Sequence, residues 1–124
     1  MNVRALALAD FESTIRDNPI VLVDFWAPWC GPCRGFAPIF ERSAQDHPDI
    51  VHAKVDTDVE RELAAMAGIR SIPTTMAFRD GVLVYSQPGA MHPGVLADLI
   101  GQVKALDMTT VRAKIADRKA ATKA

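Results

Sequence analysis

The sequence predicts an α/β domain with a central mixed β-sheet flanked by helices on both faces. Three observations predict it. β-rich runs alternate with helix-like segments, an order that pairs strands in parallel. One run, Ile20 to Trp26, is apolar at both parities, which suits a strand covered on both faces. The length of 124 residues, 49% hydrophobic and 23% charged, suits one domain with one core.

Val3 to Leu8 reads as a short edge strand or the start of a helix. Asp10 is the expected N-cap of a helix running to about Arg16, which Asn18-Pro19 ends. After the strand at Ile20 to Trp26, Ala27 to Pro32 holds two prolines and a glycine, a turn signal. A helix is expected from about Cys33 to Asp46, with Pro38 removing one backbone donor and kinking it. Ile50 to Val55 reads as the next strand. Thr57 and Glu60 have capping-box spacing, opening a helix that Gly68 ends. Thr74 to Phe78 and Val82 to Ser86 form strands around an Asp80-Gly81 hairpin turn, adding an antiparallel edge. Pro93 suits the first turn of a helix reaching about Leu106, and residues 109–120 form a further helix with few large apolar residues.

Composition narrows the function classes. The net charge of −1 points to neither nucleic acid nor an anionic membrane. No apolar run approaches the roughly 20 residues of a membrane helix. Met1 to Ala9 lacks the long apolar core and cleavage site of a signal peptide, so a cytoplasmic location is expected. The charge is uneven. Arg112, Lys114, Arg118, Lys119 and Lys123 against Asp117 give residues 108–124 a balance of +4, which leaves −5 for residues 1–107.

The two cysteines, Cys30 and Cys33, are separated by Gly31 and Pro32. Such a pair is half a zinc site, a redox couple or a coincidence. A structural zinc site takes about four ligands, and neither a second pair nor a histidine at ligand spacing is present; His47, His52 and His92 are scattered. Disulfide stabilisation grows with loop length, so a two-residue spacer suits chemistry better than stapling. The redox reading has a physical basis. Cys30 stands where a strand meets a helix, and the helix N-terminus stabilises a thiolate. Cys33, one turn later, is placed to attack a mixed disulfide formed on Cys30. Asp24 is the second signal. A strand covered on both faces desolvates its carboxyl and suits it to proton transfer. An aspartate on an exposed sheet edge fits the pattern equally well. Alternation puts Asp24 on the face of Leu22 and Trp26.

The segment Val23-Asp24-Phe25-Trp26-Ala27-Pro28-Trp29-Cys30-Gly31-Pro32-Cys33 resembles the active-site segment of the thioredoxin family. Gly68-Ile69-Arg70-Ser71-Ile72-Pro73-Thr74 is similar to that family's cis-proline loop. Asp80-Gly81 and then Gly89-Ala90 follow in the expected order, and matching segments run from about Val3 to Leu106. The resemblance implies a thioredoxin fold over residues 1–107, with 108–124 as a helical extension or tail. It implies a protein disulfide reductase in which Cys30 attacks, Cys33 resolves and Asp24 helps deprotonate Cys33 through water. Lys54 matches the lysine near that acid, although the residues alone would make it a solvated strand residue. Trp29, Gly31, Pro32, Ile72, Pro73, Gly89 and Ala90 would form a shallow substrate surface. Pro73 would be cis and face the sulfurs, and Ile72 would offer backbone groups to a client strand.

No bound cofactor and no metal are implied. Reducing equivalents would come from NADPH through a thioredoxin reductase. The partners would be that reductase and disulfide-containing client proteins, with the chain acting as a monomer. A thioredoxin-fold oxidase or isomerase, or a non-catalytic binding module using the basic tail, are the alternative readings. Gly35 departs from the family pattern, in which a larger residue is usual; it is either surface variation or an opening behind Cys33. His92-Pro93 stands where a serine-like cap is commoner.

Overall fold

The structure, a computed structural model, describes residues 2–123. The elements follow in the order β1 (Val3–Ala5), α1 (Leu8–Asp17), β2 (Ile20–Trp26), α2 (Gly31–Asp46), β3 (Val51–Asp56), α3 (Arg61–Met66), β4 (Thr74–Arg79), β5 (Val82–Pro88), α4 (Pro93–Ala105) and α5 (Met108–Lys123). The expected domain of 1–107 and extension of 108–124 begin and end on residues 1 and 124, which lie outside the described residues.

The five strands form one mixed sheet in the order β1-β3-β2-β4-β5. β3 runs parallel to both β1 and β2, whereas β4 is antiparallel to β2 and to β5. The ambiguous first segment is thus a strand. Its parallel pairing with β3 supplies hydrogen-bond partners that local periodicity could not reveal. β2 sits at the centre, and every residue from Val21 to Phe25 is buried.

Alternation along β2 feeds two apolar layers. Leu22, with its cross-strand partner Ala77, faces Phe36 and Phe40 of α2 and Leu96, Leu99, Ile100 and Val103 of α4. Val21, Val23 and Phe25 face the other way, toward Ile15 of α1 and Leu63 of α3. Full burial of each such Leu or Phe contributes roughly 1.5–3 kcal/mol, so these layers fix the sheet between its helices. His52 belongs to the first layer. Its Nδ1 lies 3.1 Å from the Ile50 carbonyl, so Nδ1 carries the proton, and the Ser43 hydroxyl donates to Nε2 at 2.9 Å. Burial pushes its pKa down, and the neutral ring ties β3 to α2.

Several local expectations are corrected by the bonds these residues make. Asp10 is not the N-cap of α1. The helix begins at Leu8 after Ala7, and the Asp10 carboxylate reaches back to accept the Ala7 N–H at 2.7 Å. The Thr57–Glu60 capping box does not form. The Thr57 hydroxyl donates to the Trp26 carbonyl at 3.1 Å, and Glu60, itself the N-cap of α3, accepts the Leu8 N–H at 3.1 Å. Both side chains tie separate elements together instead of closing their own turn. α2 starts at Gly31, two residues before the expected Cys33, because Cys30 is its N-cap. α2 also continues through Pro38 to Asp46. Gly68 follows α3 at φ 71°, and Asp80 and Gly81 turn the hairpin at φ 52° and 80°.

Arg79 closes the end of the sheet opposite the cysteines. Its Nη1 donates to the carbonyls of Val103, Lys104 and Leu106 at 2.8, 3.2 and 3.2 Å, meeting the free acceptors at the α4 C-terminus. Asp107 then caps α5, accepting from the N–H of Thr109 and the hydroxyl of Thr110. Replacing Arg79 with Ala removes the charged donor that three carbonyls share and is expected to lower stability by roughly 1–3 kcal/mol. A urea midpoint equal to the parent's would refute this role.

Candidate redox site

The site is built where β2 ends and α2 begins. Trp26 closes the strand, Ala27 to Trp29 turn the chain, and Cys30 caps the helix. Cys30 and Cys33 form a disulfide with their Cα atoms 5.2 Å apart. The sulfurs are not equivalent. Cys30 Sγ accepts the Cys33 backbone N–H at 3.2 Å, an orphan donor of the first helical turn. That contact and the helix dipole favour negative charge on this sulfur. Cys33 points inward and lines a narrow cleft of about 70 Å³ with Asp24, Trp26, Phe40, Glu41 and Lys54.

Asp24 is 4% exposed and lies on the α2 face of the sheet. Its Oδ1 is fully buried and accepts no hydrogen bond. Desolvation raises its pKa from 3.8 to about 7, and the positive charge of Lys54 offsets part of that rise. Lys54 pairs in register with Asp24 and is half-buried, not the solvated residue its sequence context suggests. Its Nζ rests 5.2 Å from the centre of the Trp26 ring.

The outer side of the pair is formed by the cis-proline loop. The Ile72-Pro73 bond is cis, and the Ile72 carbonyl oxygen lies 3.7 Å from Cys30 Sγ. Gly89, at φ 107°, donates its N–H to the Pro73 carbonyl at 2.7 Å, which draws the segment before α4 to this loop. Trp29 stands 67% exposed, with its indole N–H donating to Asp58 at 2.9 Å. Gly31, Pro32, Gly89 and Ala90 are exposed, Ile72 is half-buried and packs against the cysteines, and Pro73 is buried. Among the described residues, no group of three or more His, Cys, Asp or Glu is placed to hold a metal.

The thioredoxin family model matches residues 2–102. The chain belongs to the thioredoxin family. A putative thioredoxin 2 of Streptomyces coelicolor is 49% identical over 115 residues, covering 93% of this chain and 86% of the relative. That span is too long to stop before α5 begins at Met108. Thioredoxin 1 of Synechococcus elongatus is 46% identical over 98 residues, covering 77% of this chain and 92% of its own. Among solved structures, a mutant thioredoxin from Halobacterium salinarum superposes with a TM-score of 0.78 at 34% identity. That match covers 85% of this chain and 93% of that one. The chain is thus a thioredoxin-family disulfide reductase with a proximal cysteine pair.

Against this thioredoxin frame, Gly35 is surface variation. It is exposed, and a Cβ added there meets nothing within 4 Å, so it opens no space behind Cys33. Three site residues went unnoticed in the sequence: Asp58 behind Trp29, and Glu41 and Phe40 on the wall of the inner cleft. Glu41 lies eight residues after Cys33 on α2, a helical spacing that could have signalled it.

The buried acid makes stability depend on pH with a definite sign. The folded state holds the Asp24 proton more tightly than the unfolded chain, so its contribution is full below pH 3.8 and is lost as pH rises through about 7. Asp24→Asn removes this titration. Relative to that variant, the parent is expected to lose up to about 4 kcal/mol across the window, from roughly 1.4 kcal/mol per pH unit. Denaturant curves at a series of pH values test this; parallel profiles for the two proteins would refute it.

Proposed function

We propose that the protein reduces disulfides in client proteins through a two-step exchange at Cys30 and Cys33. The reduced Cys30 thiolate attacks one sulfur of a client disulfide. A Cys30–client disulfide forms, the client S–S bond breaks, and the second client sulfur leaves as a thiolate that takes up a proton. Asp24, as carboxylate, receives the Cys33 proton through the inner cleft. The Cys33 thiolate then attacks Cys30 Sγ, forming the intramolecular disulfide and expelling the remaining client thiolate. The client gains two electrons and the protein loses two.

One observation carries this assignment of roles: Cys33 shares the inner cleft with Asp24, while Cys30 meets the helix N-terminus and the outer Ile72 carbonyl. A carboxyl titrating at about 7 suits proton exchange near neutrality. In this reading Lys54 supports the proton transfer by its charge. Trp29, Gly31, Pro32, Ile72, Pro73, Gly89 and Ala90 receive the client, whose backbone pairs with Ile72 as an added strand. Electrons return from NADPH through a thioredoxin reductase, and the protein acts as a cytoplasmic monomer. No helix among the described residues is long and apolar enough to cross a membrane.

Insulin reduction in the presence of dithiothreitol tests the reading. Cys30→Ser is expected to abolish catalysis. With insulin alone and no dithiothreitol, pre-reduced Cys33→Ser is expected to accumulate a client joined to Cys30, which added dithiothreitol then releases. A Cys30→Ser protein with parental activity would exclude the mechanism. We assign the activity to residues 1–107 and treat 108–124 as an appendage. A chain ending at residue 107 keeps the Arg79 contacts to α4 and is expected to reduce insulin at the parental rate. A loss of most of that rate would instead place α5 in the working domain.

A further inference from the structure

The α2 face of the sheet carries a short row of buried polar atoms without partners: Asp24 Oδ1, Trp26 Nε1 and Thr75 Oγ1. Such atoms are rare in folded proteins, because each forfeits its hydration without replacement. Two of them are neighbours by register. Asp24 of β2 pairs directly with Thr75 of β4, just as Leu22 pairs with Ala77 on the same face. Directly paired residues on antiparallel strands hold their Cβ atoms about 4.5–5.5 Å apart. An orphan acceptor and an orphan hydroxyl donor therefore stand within one side-chain rotation of each other. Thr75 is 0% exposed, so water cannot serve its hydroxyl from outside.

We propose that Thr75 is a positioning residue for Asp24: when Asp24 ionises, the Thr75 hydroxyl turns to donate a hydrogen bond to the carboxylate. A turn about the Thr75 Cα–Cβ bond brings the hydroxyl to the carboxylate and swings the γ-methyl with it. The Trp26 indole is a poorer source of the same bond, since its N–H direction is fixed by the packed ring and it sits two residues along β2. The remaining groups facing Asp24 are Lys54 from β3 and Cys33 and Glu41 from α2. Lys54 and Glu41 are the charged ones, and both stay in place when Thr75 is changed. The bond would hold Asp24 as the base that takes the Cys33 proton. That consequence rests on the proposed function, whereas the bond itself does not.

The test is a carboxyl-carbon NMR titration of Asp24 in the full oxidised chain, comparing the parent with Thr75→Val, Thr75→Ser and Thr75→Ala. Valine keeps the volume and removes the donor, and serine keeps the donor. Burial and Lys54, without the Thr75 bond, set a midpoint of about 7, so the parent, which has the bond, should titrate below that. Thr75→Val should titrate higher by roughly one pH unit, as expected for losing a donor to a charged group. Thr75→Ser should stay with the parent. A Thr75→Val midpoint equal to the parent's, or a Thr75→Ser midpoint displaced as far as that of valine, overturns the proposal. If the valine variant does not fold, Thr75→Ala is read against Thr75→Ser by the same criterion. The titration needs no turnover, so inactivity of the parent toward insulin would defeat the reductase reading while leaving this result intact.

Discussion

Asp24 is buried because the strand carrying it has a neighbour on each edge and helices over each face. β2 lies between β3 and β4, with α2 and α4 on one side and α1 and α3 on the other. This central placement buries every side chain from Val21 to Phe25, and the Asp24 carboxyl is desolvated together with them. The same coverage decides where the chain can leave the sheet. β2 must end where its cover ends, and the first turn beyond it holds the cysteines. The acid and the disulfide therefore share one cause: the packing of the central strand.

The difference between the two sulfurs follows from where α2 starts. With Cys30 as N-cap, its sulfur meets an unpaired backbone N–H and lies outside the helix. Cys33 is inside the first turn and faces the sheet, where the inner cleft holds Asp24 and Lys54. Gly31 and Pro32 lie between them on the exposed side, and Pro32, which lacks an N–H, stands where a helix start leaves donors unpaired anyway. One helix end thus separates a sulfur that meets a backbone N–H and the Ile72 carbonyl from a sulfur that lines the cleft with an acid.

The strands β2 to β5, the hairpin and the helices α2 and α4 were legible in the sequence, because each rests on local periodicity or on turn residues such as Asp80-Gly81; β1 was not, since only its pairing with β3 makes it a strand. The active-site segment was legible because its residues are contiguous from Val23 to Cys33. What escaped depends on pairing across the chain. Thr57 and Glu60 look like ordinary capping residues, yet Thr57 bonds Trp26 and Glu60 bonds Leu8. Arg79 is one surface-type residue among many until β4 brings it beneath the end of α4. Thr75 reads as a β-branched strand residue, and only the β2–β4 register shows that it faces Asp24. Lys54 was placed near Asp24 by the family resemblance, but the residues alone could not show its half-burial, which depends on the Trp26 ring from the next strand.

The polar row on the α2 face runs against the rest of the fold. A domain of this kind is stable by only about 5–15 kcal/mol, and burying an acid with its nearest hydroxyl unpaired takes away a sizeable part of that. An apolar residue at position 24 would continue the layer that Leu22 and Ala77 begin. Packing therefore gives no reason for Asp24, and the proposed proton transfer beside Cys33 would supply one. The surrounding apolar layers make such a residue tolerable, and they also tune it. The burial that makes the charge costly is what brings its titration to about 7, where a thiol's proton can be taken and returned.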